Sequence, residues 1–335
     1  MGELTYVKNQ YGKETPATHG TAVAATRIFP GTVKMPKDRT PVKVRFLDGT
    51  RLPAHKKVIN QILVDGITLA MDQGVFQGLP MLGSICLKGA VTASEVTTGQ
   101  HDYLWDFTPS WTATNAPDSI TLETGDNTQA YEVEYVMGRR LKFSGKLGDD
   151  GFVSVECEAF GKQITPTTFT AAQALPGMEL MVGNMTKIFI DAAWATLGST
   201  EKTGILKEWS VELTIGTHPK FLAGGTKMMS THGEGIIDAI ATFTFEGNAD
   251  ADANFDLYQA GTEKAIRIAV TGSQIGTGTY HNLTIDMFGS FDEVIPLASE
   301  DNGNNLHTAI FSINSDRLAT QHALGVKVTT DINAI

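Results

Sequence analysis

The residues whose types suit chemistry are few, and their spacing assembles none of the usual sites. Asp149-Asp150 and the Asp250, Asp252 pair offer carboxylates of the kind that chelate calcium, but neither follows the ligand spacing of a calcium-binding loop. The second pair fits better as the acidic first turn of a helix, where negative charge favours the N-terminal end of the dipole. Gly224-Gly225-Thr226-Lys227 has the composition of a phosphate cradle without its spacing or its leading strand. Residues 272–278 are glycine-rich but do not open a helix, so they read as a turn. The eight histidines are scattered and form no HExxH or clustered His/Cys set. No Gly-x-Ser-x-Gly elbow is present. Cys86 and Cys157 are too few for a disulfide scaffold or a metal site, and their apolar surroundings predict buried free thiols. Asn184-Met185-Thr186 and Asn282-Leu283-Thr284 match the glycosylation pattern by chance, since nothing points to secretion. The expectation is therefore no catalytic, cofactor-binding or metal-ligating residue, no cofactor, and no enzyme.

The elements that would position any site are mostly strands. In residues 207–215 the apolar side chains fall at Trp209, Val211, Leu213 and Ile215, with Ser210, Glu212 and Thr214 between them, the period of a strand buried on one side. Residues 236–246 repeat the pattern, with Ala241, Phe243 and Phe245 opposing Thr242, Thr244 and Glu246. The glycine-rich segment 216–235 between them, with Pro219, predicts a long connecting loop. Asn248 as a cap, early acids and Gly261 then predict one short helix. Strands are expected at 265–271, 283–287, 293–297 and 307–313.

The first half follows the same order. A strand is expected within 33–46, a polar loop over 47–60, and a strand over 62–71 in which Ile67, Leu69 and Met71 oppose Thr68 and Ala70. A short helix-like stretch covers 76–87, limited by Pro80. Strands follow at 103–108, 119–124, 131–137 and 152–159. The order strand, long loop, strand, helix and about four strands thus occurs twice, a repeat of architecture with little sequence identity. The predicted organisation is an arm over 1–30, a first β module over 31–164, a linker and connecting segment over 165–204, a second module over 205–320, and an arm over 321–335. The fold class expected is mainly β with short helices.

The chain has 335 residues, 41% of them hydrophobic, enough for one large or two modest cores. With 26 Lys and Arg against 37 Asp and Glu the formal charge is −11, which argues against a surface that grips phosphate. The opening MGELTYVKNQYGKET has no apolar core and is not expected to act as a secretory signal. No run reaches the length of a membrane span, and synthesis in the cytosol is expected.

Residues 12–27, Gly-Lys-Glu-Thr-Pro-Ala-Thr-His-Gly-Thr-Ala-Val-Ala-Ala-Thr-Arg, resemble the E-T-x-x-G-T-A-V-A-x-T start of the tail tube proteins of long-tailed bacteriophages. Residues 119–126 and the strand, loop, strand, helix series over 206–258 are similar to that family as well. The resemblance implies β-sandwich modules, each flanked by a helix, whose inner sheets join into a ring barrel on assembly. Rings of three double modules or of six single ones would stack into the tail tube of the virion. By the same analogy the partners are further copies of the chain, a tape measure protein and a tail terminator protein. Double-stranded DNA would pass through without specific binding, and no membrane is involved. On this reading Thr68, Asp72, Glu212, Thr214, Thr242, Thr244 and Glu246 are candidates to face the lumen, with Lys43 and Arg45 breaking the acidic pattern. The loops 47–60 and 216–235, with Gly49, Pro53, His55, His218, Pro219, Lys227 and Met228, are candidates for contacts between rings. Removing residues 217–234 is expected to leave a folded subunit that does not polymerise. Two other readings stand beside this one: another virion protein, such as a tail-tip or capsid decoration component, or a carbohydrate-binding β-sandwich.

Overall fold

The protein is mainly β, with two short α-helices among the described residues. The computed structural model describes residues 7–46, 54–110, 112–126, 128–148, 151–171, 173, 175–301, 303–313 and 322–335. The first half runs β1 (Val7–Lys13), β2 (Arg27–Ile28), β3 (Thr32–Lys34), β4 (Arg39–Phe46), β5 (Ala54–Ile62) and β6 (Val64–Met71). It continues with α1 (Leu79–Cys86), β7 (Ser94–Glu95), β8 (Tyr103–Asp106), β9 (Ile120–Asp126), β10 (Ala130–Lys146), β11 (Val153–Gly161) and β12 (Ile164–Thr167). The second half runs β13 (Thr186–Asp191), β14 (Leu206–Thr214), β15 (His218–Lys220), β16 (Thr231–Gly233) and β17 (Asp238–Glu246). Then come α2 (Ala249–Ala260), β18 (Lys264–Gly276), β19 (Thr279–Asp301), β20 (Asn304–Ile313) and β21 (Leu324–Thr330).

One antiparallel sheet, here the inner sheet, is continuous across both halves in the order β3, β6, β11, β10, β14, β17, β20, β19. The halves meet where β10 pairs with β14, from Arg140 opposite Thr214 to Lys146 opposite Glu208. Two outer sheets cover one face of it. The first has the order β2, β1, β9, β10, β12, and the second β13, β18, β19, β21, β8, β7. The strands β10 and β19 belong to both layers. The early part of β10 pairs with β9 and β12, and its later part with β11 and β14. The early part of β19 pairs with β18 and β21, and its later part with β20.

The pairings of the two halves correspond strand for strand: β1 with β13, β3 with β14, β6 with β17, β9 with β18, β10 with β19, β11 with β20 and β12 with β21. Even the irregularities match. Against its successor, β10 slips register between Gly138 and Arg140, and β19 between Phe291 and Glu293. Each helix packs on the long strand of its own half, α1 on β10 and α2 on β19. The extra pair β7–β8 is an addition of the first half and joins the second outer sheet through β21.

The core lies between the layers. Leu141, Phe143, Trp209, Val211, Leu213, Phe243, Phe245 and Phe311 project from the inner sheet and meet Ile120, Leu122, Ile268, Leu283, Ile285 and Val328 of the outer ones. Each such burial contributes roughly 1.5–3 kcal/mol. The helix α1 is buried along its whole length, which explains a sequence (LPMLGSIC) without a charge. In α2 the Asn248 side chain accepts from the Asp250 and Ala251 amides, and Gly261 closes the helix in the left-handed region at φ 60, as the cap residues predict.

Several expectations need correction. The strands read at 283–287 and 293–297 are parts of one strand, β19, and β10 extends to Lys146. The strand expected within 33–46 is present as β4, and the short β3 precedes it on the other side of Pro36. Residues 54–60 belong to β5 instead of a loop, and segment 216–235 holds the small hairpin β15–β16. The segments expected as arms supply β1 and β21, whose Tyr11, Leu324, Val326 and Val328 are buried. The expected linker is tied down at Thr170, whose amide and hydroxyl both donate to Glu123. Cys86 and Cys157 are free and buried, yet their sulfurs lie 3.4 Å apart, and this contact together with burial pushes the Cys86 thiol well up.

Gly145 on β10 sits under the Trp209 indole, and a Cβ there would lie 2.3 Å from Nε1. Because the ring is wedged in the core and Gly145 is on the strand that joins the halves, Gly145→Val should cost about 2–3 kcal/mol through overpacking. Urea denaturation checks this, and an unchanged midpoint would contradict the packing described.

Candidate functional site

Period-two geometry sends one side of every inner strand into the core and the other to solvent. The solvent side is one open face that crosses the whole chain. Across it lie Lys34, Thr68, Glu158, Arg140, Thr214 and Asp238 in one row, and Glu156, Lys142, Glu212 and Ile240 in the next. A third row runs Ser154, Ser144, Ser210, Thr242 and Ile310. Of the lumen-facing candidates, Thr68, Glu212, Thr214, Thr242, Thr244 and Glu246 share this face, and Asp72 follows directly after the end of β6, exposed. Thr68 and Thr242 are equivalent positions of the two halves, both next to the third strand, opposite Glu158 and Ile310. Lys43 and Arg45 are not on this face. They belong to the separate hairpin β4–β5, where Lys43 stands opposite Lys57.

The open face is a lattice of alternating charge. Arg140 reaches Glu158 (3.4 Å), Glu156 (3.6 Å) and Glu212 (3.4 Å), so one guanidinium spans the joint between the halves. Lys146 and Glu208 close the same joint at 2.9 Å, and this contact raises the lysine pKa. Lys207 bridges Glu246 and Asp301. Exposed pairs of this kind contribute little stability one by one. What they do is neutralise neighbours, leaving a polar surface with no isolated patch of either sign. Ile240, Ile295, Leu306 and Ile310 are apolar residues on it in the second half, and Ala70 in the first.

The two long connections leave the sheet at one rim. Neighbouring inner strands alternate in direction, so β3 and β14 run the same way, and the connections after them, to β6 and to β17, emerge on the same side. The hairpin β4–β5 is exposed along β4, where Val42 and Val44 face solvent, and Val58 opposite Val42 is exposed too. Gly49 and Pro53 lie outside the described residues. His55 is placed in β5 opposite Arg45. In the second connection His218 and Pro219 form the hairpin with Gly233 and His232. Its tip exposes Phe221 and Leu222, while Lys227 and Met228 turn back to meet Ile62 at the base of the first hairpin. Met229 is buried with Tyr135, Met137 and Phe160. The second connection is therefore anchored at its base, and removing all of 217–234 would open a core cluster as well as the rim.

A buried polar centre holds the N-terminal segment against the bend of β10. The Glu14 carboxylate accepts from the Gly20 amide (2.8 Å), the Tyr135 amide (2.8 Å), and the hydroxyls of Ser119 and Thr121. Tyr135 has φ 60, a left-handed conformation for a bulky residue. His19 stacks on the Tyr135 ring and contacts His232 edge-on, and the Tyr135 hydroxyl lies 3.1 Å from His232 Nδ1. Burial, then the nearby His19, lowers the His232 pKa. Glu14, Gly20 and His19 all fall within the stretch that carries the family resemblance, so that stretch marks a structural knot. Its role escaped the sequence reading because the partners lie about 100 or more positions away.

No protein-family model matches this chain, and no curated protein matches it. One cleft, about 650 Å³, is lined by Thr112, Asn115, Glu234, Ile236, Asp238 and Ile313; Glu234 already accepts from the Asn115 and Ala116 amides, and Asp238 from the Ala239 amide. A second of about 450 Å³ contains Arg267, which Asp286 holds with two hydrogen bonds. Among the described residues no group of three His, Cys, Asp or Glu is arranged to hold a metal ion. Trp105 and Trp209 are buried.

Two outcomes follow. Glu14→Gln turns an amide donor toward four donors, and should lower stability by about 3 kcal/mol, measured by chemical denaturation. The folded form binds fewer protons at His232 than the unfolded chain does, because its pKa is depressed below 6.5. That contribution is complete above the unfolded value and lost as pH falls below it; His281, lowered by burial, acts in the same direction. Thermal melts at descending pH should show the loss, and His232→Asn should make the dependence shallower.

Proposed function

We propose that this chain is a structural subunit that assembles with copies of itself into rings, and that the rings stack into the tail tube of a long-tailed bacteriophage. The observation that carries this reading is the inner sheet: eight strands, four from each half, one face buried and the other polar, with both borders lacking a strand partner among the described residues. A sheet of this kind is satisfied by closing on itself through neighbours, since closure removes edges.

The halves repeat each other strand for strand, so each chain supplies two modules and three chains supply six. Three sheets of eight make about twenty-four strands, and at about 4.8 Å per strand with a tilt near 45° they enclose a ring about 50 Å across, backbone to backbone. That bore admits a DNA duplex once lined by side chains. The lining is polar, balanced in charge locally and acidic as part of a chain of net charge −11, which gives a duplex no cationic hold. The hairpins on one rim fit contacts with the next ring: an isolated two-stranded hairpin is marginal in water and gains from a partner surface. Within the virion the tube would meet a tape measure protein in its lumen and a terminator at its end.

Electron microscopy of the concentrated protein tests this. Rings of three chains with six-fold-like outline, or stacked tubes, are expected; a solution that stays monomeric at every concentration and with preformed tube seeds would overturn it. Deleting the exposed tip 221–226, which leaves Met229 in place, should preserve the thermal melt and the ring while abolishing stacking.

A further inference from the structure

The assembly reading leaves open how one chain finds the next, and the chain contains its own template for that joint. Within the chain, β10 of the first half pairs with β14 of the second. Their equivalents with no partner on the matching side are β19 and β3. The matching bulges set the alignment: Arg140 corresponds to Glu293 and Lys142 to Ile295, because each pair stands at the same place relative to the following strand. Thr68 pairs with Lys34 as Thr242 pairs with Ser210, so Lys34 corresponds to Ser210. Ser144 corresponds to Ser299 through their partners Ser154 and Leu306.

The charges on the two joints are opposite. In the internal joint the cations Arg140, Lys142 and Lys146 are on β10, and the anions Glu208 and Glu212 are on β14. The β19 border instead carries Asp292 and Glu293, with Asp301 at its end, whereas the β3 border carries Lys34 and, just beyond it, Lys37 and Arg39 on either side of the buried Asp38. Lys34, Lys37, Asp292 and Glu293 are exposed, and none forms an ion pair among the described residues. The borders are also short. Pro30 and Pro36 flank β3, and β19 is interrupted by a bulge over residues 296–298, where Leu297 sits at φ 61 and is 78% exposed. Prolines and bulges of this kind discourage indiscriminate edge pairing.

We propose that β19 of one copy pairs with β3 of the next in the register of the β10–β14 joint, with the polarity of charge reversed relative to it. The reversal selects partners. A β19 border brought to β14 of another copy would face acid with acid, and a β3 border brought to β10 would face base with base. Like-charge juxtaposition of this kind suppresses wrong pairings. The correct joint, which sets the acids of β19 against the cationic β3 border, is then the one pairing that both exposed borders favour, and it is head-to-tail, the kind of contact that makes a ring when its rotation closes.

This proposal rests on the assembly reading, and its test keeps the two apart. Wild type, D292K/E293K, K34E/K37E and the fourfold variant are compared by sedimentation and negative-stain microscopy, with circular dichroism confirming the fold. Each single-border reversal should abolish rings, and the fourfold variant should restore them. As a second measurement, the K34C/S299C variant under mild oxidation should give a disulfide-linked ladder that ends at three chains. If the wild type forms no rings, the assembly reading itself fails. If it forms rings while the reversals and the cysteine pair leave them untouched, the joint assigned here is wrong.

Discussion

One constraint organises this molecule: an eight-stranded antiparallel sheet that is apolar on one side only. A sheet wider than a few strands must cover its apolar face, and here the cover comes from two outer sheets and two helices. The β10–β14 pairing makes the two halves share a single surface, so their twist accumulates in one sense. Among the described residues the polar side is left continuous, without a helix or loop across it. Arg140, in contact with acids of β11 and β14, stands at the seam and balances charge on both sides.

The buried polar centre at Glu14 serves the same constraint from the other layer. The long strand β10 changes sheets near Tyr135, and a bend there exposes backbone amides that a regular ladder would have used. Glu14 takes up the Tyr135 amide and fixes the bend. The equivalent passage in β19 lies around Gly289 and is bridged by a backbone bond from Phe288 to Ala323. The two halves thus solve one geometric problem by different chemistry.

The parts of the fold that were legible in the sequence are those with one wet and one dry face. The strands β14 and β17 announce themselves through Trp209, Val211, Leu213, Ala241, Phe243 and Phe245, and their polar partners are the same residues that line the open face. The long strands were read as fragments because the period slips where they change layers: burial in β10 falls at Val133, then at Tyr135 through Gly138 together, then at Leu141 and Phe143. The strand β5 gave no alternation because Lys56, Lys57 and Val58 are exposed on both its sides, and β1 gave none because Asn9 and Gln10 are buried polar residues. The borders were illegible altogether. Which strand stands last in a sheet depends on pairings between residues far apart, and no local pattern encodes it.

The two strands that serve both layers have a mechanical meaning. Sheets held together by side-chain packing alone slide past one another under bending, as loose plies do. Here the covalent backbone passes from ply to ply at two places in every chain, near Tyr135 and near Gly289. The plies cannot slip without stretching main chain, so the pair resists flexure as a glued laminate does.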